Sequence, residues 1–456
     1  MRLQLKIADL LKALSVVSIV TPKALSSQSG GGYLFRAVRM ADGALQCHIY
    51  SRDSSEIVRA TITPMEVDFD PAPDGTVVDS GSFIAPVVCM SQMSYLKPEA
   101  TIEFTSEVKA QAKGAAYVLS YQVSTGAHQS FPTFDPKNIG TVDADYEAVK
   151  AATPNPTTFP VGMFRDAIGM SKGFLSDPKA SKGDEEHLKT LQVFDGTQEA
   201  WAKGNGTLFA SNGVTNFYFY SPAFENNGVA IHGSHLDRFV SFLGKCTGSV
   251  RLLHSKNMSF IEQTSVDGVG AIFAWARHDK VHPKYGYYAL KRDTYILRVK
   301  KDDFLQALYL NRLRLEGKRD KVSLAYLCAD DLATHRSLFV QIPDGDPKDK
   351  SDPIVTICTD PDLRAEDRDF KYNVNVNQLI ALITDVKGYD VFLHVAPMEV
   401  EGRKPGALFR TIDEFWMTGD GKVLPGVALK DESGNEKAPE GGGFKCRVTR
   451  FMPSKD

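Results

Sequence analysis

Apolar and polar positions alternate along this chain in two periods, and the order in which those periods follow one another recurs six times. Each copy opens on a short period-two alternation. It then passes into a stretch with apolar residues at helical spacing and returns to two or three alternating strands. The first copy runs from Leu3-Gln4-Leu5 into a predicted helix over 9–17, with strands at 33–38, 45–50 and 57–62. The second opens at 82–84, with a helix over 87–95 and strands at 101–104 and 117–123. The third opens at 159–161, with a helix over 163–175 and strands at 190–194, 200–204 and 217–220. The fourth opens at 229–231, with a helix over 235–243 and strands at 249–253, 259–264 and 271–276. The fifth opens at 295–299 with a helix over 303–308; the sixth opens at 372–374 with a helix over 377–383 and ends on a strand at 444–451.

Copies recur at intervals on the order of 65 to 80 residues, longer than the usual solenoid period, so six half-units read better as three domains of two halves each. The expected domains are 1–152, 153–290 and 291–456, with joints at Ala151-Ala152-Thr153-Pro154-Asn155-Pro156 and at 284–293. An echo supports this division: Ser130-Phe131-Pro132-Thr133-Phe134 matches Val281-His282-Pro283-Lys284-Tyr285. The charged or Gly- and Pro-rich stretches 176–187, 344–352 and 419–443 read as surface insertions.

Composition narrows the function without naming it. With 43% hydrophobic and 24% charged residues the chain reads as folded and soluble, and at 456 residues it exceeds one ordinary core. A formal charge of −3 excludes a uniformly basic coat for nucleic acid. It leaves room for one basic face balanced by acid elsewhere, because local field decides attraction to phosphate. The six cysteines are scattered without a C-x-x-C pair, which argues against structural zinc and fits a reducing compartment. The start, Met1 to Ile7, alternates like a strand rather than a signal peptide, and no stretch approaches the ~20 apolar residues of a membrane span. The expected location is therefore the cytoplasm, with no membrane partner.

Enzyme motifs are weak. Gly169-Met170-Ser171-Lys172-Gly173 satisfies G-x-S-x-G, but it falls inside a helical pattern where a nucleophile elbow needs a strand first. There is no P-loop, no H-E-x-x-H and no G-x-G-x-x-G at a strand-to-helix turn. The acids at Asp360, Asp362 and 367–369 fit a solvated loop better than a Mg²⁺ site, and Cys47-His48 is an isolated pair. No cofactor, metal or catalytic residue is expected.

Several short motifs, weak singly but collinear over nearly the whole chain, resemble the bacterial DNA polymerase III beta subunit, the sliding clamp. They are Leu5, Leu10, Leu11, Leu14 and Val17 of the first strand and helix, Ser130-Phe131-Pro132, Ala210-Ser211-Asn212-Gly213, His282-Pro283-Lys284-Tyr285 and the closing Phe451-Met452-Pro453. The resemblance implies an α+β DNA-clamp fold of three tandem domains, with sheets outside and helices lining a pore. It also implies a non-catalytic processivity factor that encircles duplex DNA without reading sequence and closes head to tail, with a homodimer as the first expectation. On the expected helices the bases Lys12, Arg165, Lys172, Arg238, Lys245, Arg312, Arg314 and Lys387 would face DNA phosphates. For any one of them an ordinary solvated helix face is an equal account; as a set they favour a pore. The acids Asp9, Asp237 and Asp303 are expected at helix N-termini, where the macrodipole favours them. The family's pocket for a short apolar peptide of polymerases and clamp loaders would draw on Ala167, Ile168, Gly213, Pro283, Tyr288, Met452 and Pro453. Pro283 and Met452 read equally well as core and turn residues. The departures are greater length, Ser26 to Gly32 after the first helix, three residues beyond Pro453, and polar Thr215 and Asn216. They point to a diverged member, of cellular or phage origin. The competing reading is a repeat-built scaffold that never encloses DNA.

Overall fold

Leu3 and Leu5 are buried between exposed Arg2 and Lys6, and from Ile7 the buried positions become Leu10, Ala13, Val16 and Val17. The change of period marks the change of element, β1 (Arg2–Lys6) to α1 (Ile7–Val17). The same switch organises the rest of this computed structural model. It describes residues 1–20, 22, 24–26, 30–70, 79–111, 114–153, 157–178, 186–194, 206–212, 215–221, 229–255, 257–263, 270–276, 295–315, 321–328, 336–341, 370–386, 388–398, 406–418, 423–425 and 443–453.

After α1 the first half-unit continues with β2 (Ala24–Ser26), β3 (Gly30–Arg39), β4 (Leu45–Arg52), β5 (Glu56–Ile62) and β6 (Glu66–Asp68). The second comprises β7 (Ser80–Pro86), α2 (Val87–Gln92), β8 (Thr101–Gln111), β9 (Gly114–Val123) and β10 (His128–Thr133). A helix that the hydrophobic pattern did not announce, α3 (Asp143–Ala152), follows. The third half-unit has β11 (Thr157–Pro160), α4 (Val161–Lys172), β12 (Thr190–Phe194), β13 (Gly206–Ser211) and β14 (Thr215–Ser221). The fourth has β15 (Val229–His232), α5 (Gly233–Leu243), β16 (Ser249–His254), β17 (Met258–Gln263) and β18 (Gly270–Ala276). The fifth has β19 (Tyr295–Lys300), α6 (Lys301–Arg314), β20 (Lys321–Cys328) and β21 (Arg336–Gln341). The sixth has β22 (Phe370–Asn375), α7 (Val376–Thr384), β23 (Asp390–Met398), β24 (Gly406–Thr418), β25 (Val423–Pro425) and β26 (Gly443–Pro453).

Some sequence expectations need correcting. Ala151 and Ala152 are helical, ending α3, whose buried face Tyr146 and Val149 supply. The expected strand at 200–204 lies outside the described residues, and β13 begins after it. Asp237 lies beyond the first turn of α5, whose N-terminus is capped instead by the His232 side chain accepting from the Ser234 N–H; Asp9 and Asp303 do occupy first turns. The joint 284–293 and the insertion 344–352 also lie outside the described residues.

Strand pairing follows one rule. The opening strand of a half-unit pairs antiparallel with a strand of the sister half, and β1 also pairs β6 of its own half on its other side. β1 pairs β8 and β7 pairs β3; β11 pairs β16; β19 pairs β23 and β22 pairs β20. Gly32 permits the β3–β7 contact, since a Cβ there would overlap Ile84 Cγ2. A second kind of pairing joins half-units that are not sisters, through late strands of each. β5 pairs β18, stitching the first half-unit to the fourth, and β14 pairs β26, stitching the third to the sixth.

The chain packs as two compact units, 1–169 with 229–279, and 170–228 with 280–456, so the middle third contributes to both. In the first unit α5 packs on β18 through Phe239, fully buried against Phe164 (5.9 Å between ring centroids), Phe273 (5.7 Å) and Trp275 (5.3 Å), all near edge-to-face. In the second unit α6 and α7 share a core that includes Phe304, Leu308, Leu379, Ile383, Leu393 and Phe409. Asn311, wholly buried, donates to Ala307 O (2.9 Å) and Val340 O (3.2 Å), fixing α6 to β21. Phe239→Ala should destabilise the first unit by about 3–5 kcal/mol, the range for emptying an aromatic site in a core. Denaturant unfolding followed by Trp fluorescence would measure it, and a loss below 1 kcal/mol would contradict the packing described.

Candidate nucleic-acid interface

A face that holds phosphate without reading sequence needs cations that are exposed and uncompensated. Lys12 on α1, Arg165 and Lys172 on α4 and Arg312 on α6 are exposed helical residues, and Lys245 is exposed just past the end of α5. Arg165 Nε bonds its neighbour Asp166 Oδ1 at 3.0 Å, an exposed pair that leaves the guanidinium facing water. Arg314 ends α6. Lys387 lies outside the described residues. α2 and α7 contain neither lysine nor arginine, so cationic residues are unevenly shared among the half-units.

Arg238 is held in a part-buried pairing. Its guanidinium bonds both Asp53 and Glu56, which stand at the turn into β5 and belong to the first half-unit while α5 belongs to the fourth. Glu56 is 1% exposed, and its second oxygen takes His235 Nδ1 at 2.7 Å. Burial pushes the Asp53 carboxyl up, but the Ser55 N–H, Arg238 and the Glu56 N–H together hold it below the usual carboxylate value. With two acids against its one charge, Arg238 staples the β5–β18 seam. Its positive charge is compensated at home and is not offered to a ligand.

The opposite face of the same sheet carries a second charged cluster. Asp143, at the start of α3, accepts from Arg36 Nη1 (2.7 Å), Arg59 Nη1 (2.8 Å) and the Tyr50 hydroxyl. Burial raises the Asp143 carboxyl, and the bonds from Tyr50 and Arg59 outweigh it, so the group stays ionised below its ordinary range. His48 closes the cluster, its Nδ1 2.9 Å from Thr61 Oγ1. Burial, with Arg59 and Arg36 adding to it and Asp143 opposing, lowers the imidazole to about 4. Composition and motif searching missed Asp53, Glu56, His235 and Asp143. Only Asp143, just ahead of apolar Tyr146 and Val149 three apart, left a readable trace.

The residues expected to form a peptide pocket are distributed as follows. Ala167 and Ile168 are fully buried on the inner face of α4. Met452 and Pro453 sit on β26, opposite Phe409 and Leu408 of β24. Gly213, Pro283 and Tyr288 lie outside the described residues. The G-x-S-x-G match lies within and just past α4 with Ser171 fully buried, so it is no strand-to-helix elbow. Burial pushes the Cys89 and Cys246 thiols up to about 12, which removes them as nucleophiles. Among the described residues no group of His, Cys, Asp and Glu is arranged to hold a metal, and no helix is long and apolar enough to cross a membrane.

No protein-family model matches the sequence, and no curated protein matches it. Solved structures do. The chain is similar to the Helicobacter pylori beta clamp in complex with carprofen, at 12% identity over 100% of both chains with a TM-score of 0.53. It is similar to the DNA polymerase III subunit beta from Pseudomonas aeruginosa, at 12% identity over 99% of both chains with a TM-score of 0.54. It is also similar to Caulobacter crescentus pol III beta, at 14% identity over 100% of both chains with a TM-score of 0.54. The fold is that of the bacterial beta clamps, from one end of the chain to the other.

His48 makes a testable pH signature. Between about 4 and its unfolded value near 6.5 the unfolded chain binds a proton that the native imidazole refuses, so stability falls as pH drops through that window. Thermal unfolding between pH 7 and 4.5 should show this fall, and His48→Asn should flatten it. A wild-type midpoint independent of pH over that range would contradict a buried neutral His48.

Proposed function

We propose that this chain is a DNA sliding clamp, a non-catalytic processivity factor. As a ring around duplex DNA it would tether a replicative polymerase, with partners docking through a short apolar peptide motif. Three domains per chain, 1–152, 153–290 and 291–456, would supply half of the ring, and a second copy the other half. The setting is the cytoplasm of a bacterium, or of an infected host if the protein is phage-encoded.

The observation that carries this reading is the arithmetic of the seams. Four half-units are stitched in pairs through late strands, first to fourth by β5–β18 and third to sixth by β14–β26. The second and fifth are joined to no non-sister half-unit among the described residues: the sheet of the second ends at β10 and that of the fifth at β21. A sheet edge of this kind is a template for another chain. A head-to-tail copy that paired the second half-unit with the partner's fifth would complete the third kind of seam twice, and the ring would close. The same two half-units also expose large apolar side chains. Val108 stands out from β8, while Tyr309, Leu310 and Leu313 (80% exposed) line α6. Such residues on a surface mark an interface.

Lys12, Arg165, Lys172, Lys245 and Arg312 are the bases offered to phosphate in this reading, with Arg314 and Lys387 as further candidates. Arg238 is withdrawn from the set by Asp53 and Glu56. Ala167, Ile168, Gly213, Pro283, Tyr288, Met452 and Pro453 are the residues proposed for the peptide pocket.

Retention on DNA tests enclosure directly. After loading, the protein should stay on a nicked circle and be lost when the circle is linearised. Equal loss from both forms would favour the scaffold that never encloses DNA. Lys12→Ala and Arg312→Ala should each reduce the salt dependence of DNA binding by about one counterion, whereas Arg238→Ala should leave the slope unchanged.

Sedimentation equilibrium tests closure. The wild-type protein should be a dimer, and Leu313→Glu or Val108→Glu should yield folded monomers. A monomeric wild type at micromolar concentration would remove the ring.

A further inference from the structure

The sheet that joins the first and fourth half-units is covered on both faces. On one face α1 packs against β4 and β5, and α5 against β18. The other face is covered by the segment that leads from β10 through α3. Its Phe134, Ile139, Val142, Tyr146 and Val149 bury Leu34, Tyr50 and Ile57 of the first half-unit together with Leu253, Phe260, Ile272 and Ala274 of the fourth.

Register shows what this segment crosses. Tyr50, Arg59, Ile272 and Glu262 stand side by side on β4, β5, β18 and β17, one cross-strand row that runs through the seam. α3 holds the row at both ends. Its first residue, Asp143, takes Arg36, Tyr50 and Arg59, all on strands of the first half-unit. One turn on, the Tyr146 ring lies 4.8 Å beneath the Arg59 guanidinium and edge-on to Phe260, with its hydroxyl facing Glu262. Another turn on, Lys150 Nζ is 3.8 Å from Glu262 Oε1, on a strand of the fourth half-unit. Three turns of helix thus grip both sides of a joint that is otherwise held by one strand pairing, apolar packing and the α5 staple on the far face.

We propose that residues 134–152 form a latch that locks the β5–β18 seam into one rigid piece, with Asp143 and Tyr146 as its positioning residues on either side. The inference concerns the first compact unit alone and does not depend on whether the protein encloses DNA. Asp143 is suited to the task because two guanidiniums and a phenol converge on one half-buried carboxylate; without it, Arg36 and Arg59 would repel each other across the sheet. A helix bonded to only one half-unit would stabilise that half and leave the seam free to open. A helix bonded to both makes seam opening conditional on its own release.

Hydrogen–deuterium exchange of the full-length protein, resolved by peptide, tests the latch. In Asp143→Ala, amides of 56–62 and 270–276 should exchange about tenfold faster, while those of 101–123 and 406–418 keep their wild-type rates. Asp143→Asn, which keeps the volume, should give the same pattern to a smaller degree and serves if the alanine variant does not fold. Tyr146→Ala should release the same two strands, and combining it with Asp143→Asn should add little, since a latch opened at one side no longer holds at the other. Unchanged seam exchange in a folded variant, equal acceleration throughout the chain, or fully additive effects would each overturn the proposal.

Discussion

A short antiparallel sheet has two edges, and each edge carries a row of backbone N–H and C=O groups that must find partners or water. The way those edges are satisfied determines the rest of this structure. No half-unit closes its own sheet. Its opening strand is lent to the sister half, so β1 lies beside β8 while β7 lies beside β3. Later strands then reach beyond the sister, β5 to β18 and β14 to β26. Six small units with modest cores are in this way made into long sheets.

Placing charge at such a seam has a physical cost that the protein meets by strict pairing. Glu56 is nearly inaccessible to water, and a carboxylate there is tolerable only because His235 and Arg238 reach it from α5. Asp143 does the equivalent on the other face with Arg36, Arg59 and Tyr50. Pairs of this kind contribute less net stability than apolar packing would. They act instead on geometry, since the partners belong to different elements and only one arrangement brings them together. The seam is thus specified by charge on both faces and stabilised by Phe239, Phe273 and Trp275 between them.

In the clamp reading this division of labour matters for DNA. An arginine on a helix reads as a phosphate ligand until its partners are known, and Arg238 shows how a compensated charge leaves the set. The bases that remain are few and distributed unevenly, with none on α2 or α7. A weak, uneven field is compatible with holding duplex DNA loosely, because topology rather than affinity would keep the ring in place.

Much of this was legible in the sequence because periodicity is a local property. Alternation and helical spacing located the opening strands and five of the six half-unit helices closely; the exceptions were ends and caps, such as α6 running on to Arg314 and α4 stopping at Lys172. The fold followed from the repeated order of elements. α3 escaped notice because only Tyr146 and Val149 mark its buried face within a run of small and charged residues. Local patterning accounts for the elements, their sixfold repetition and hence the clamp architecture, since each depends on residues a few positions apart. Only the tertiary structure decided which charges are spent inside the protein. The bonds from Arg238 to Asp53 and Glu56, and from Asp143 to Arg36 and Arg59, span 84 to 185 residues, and electrostatic pairing depends on distance in space rather than along the chain.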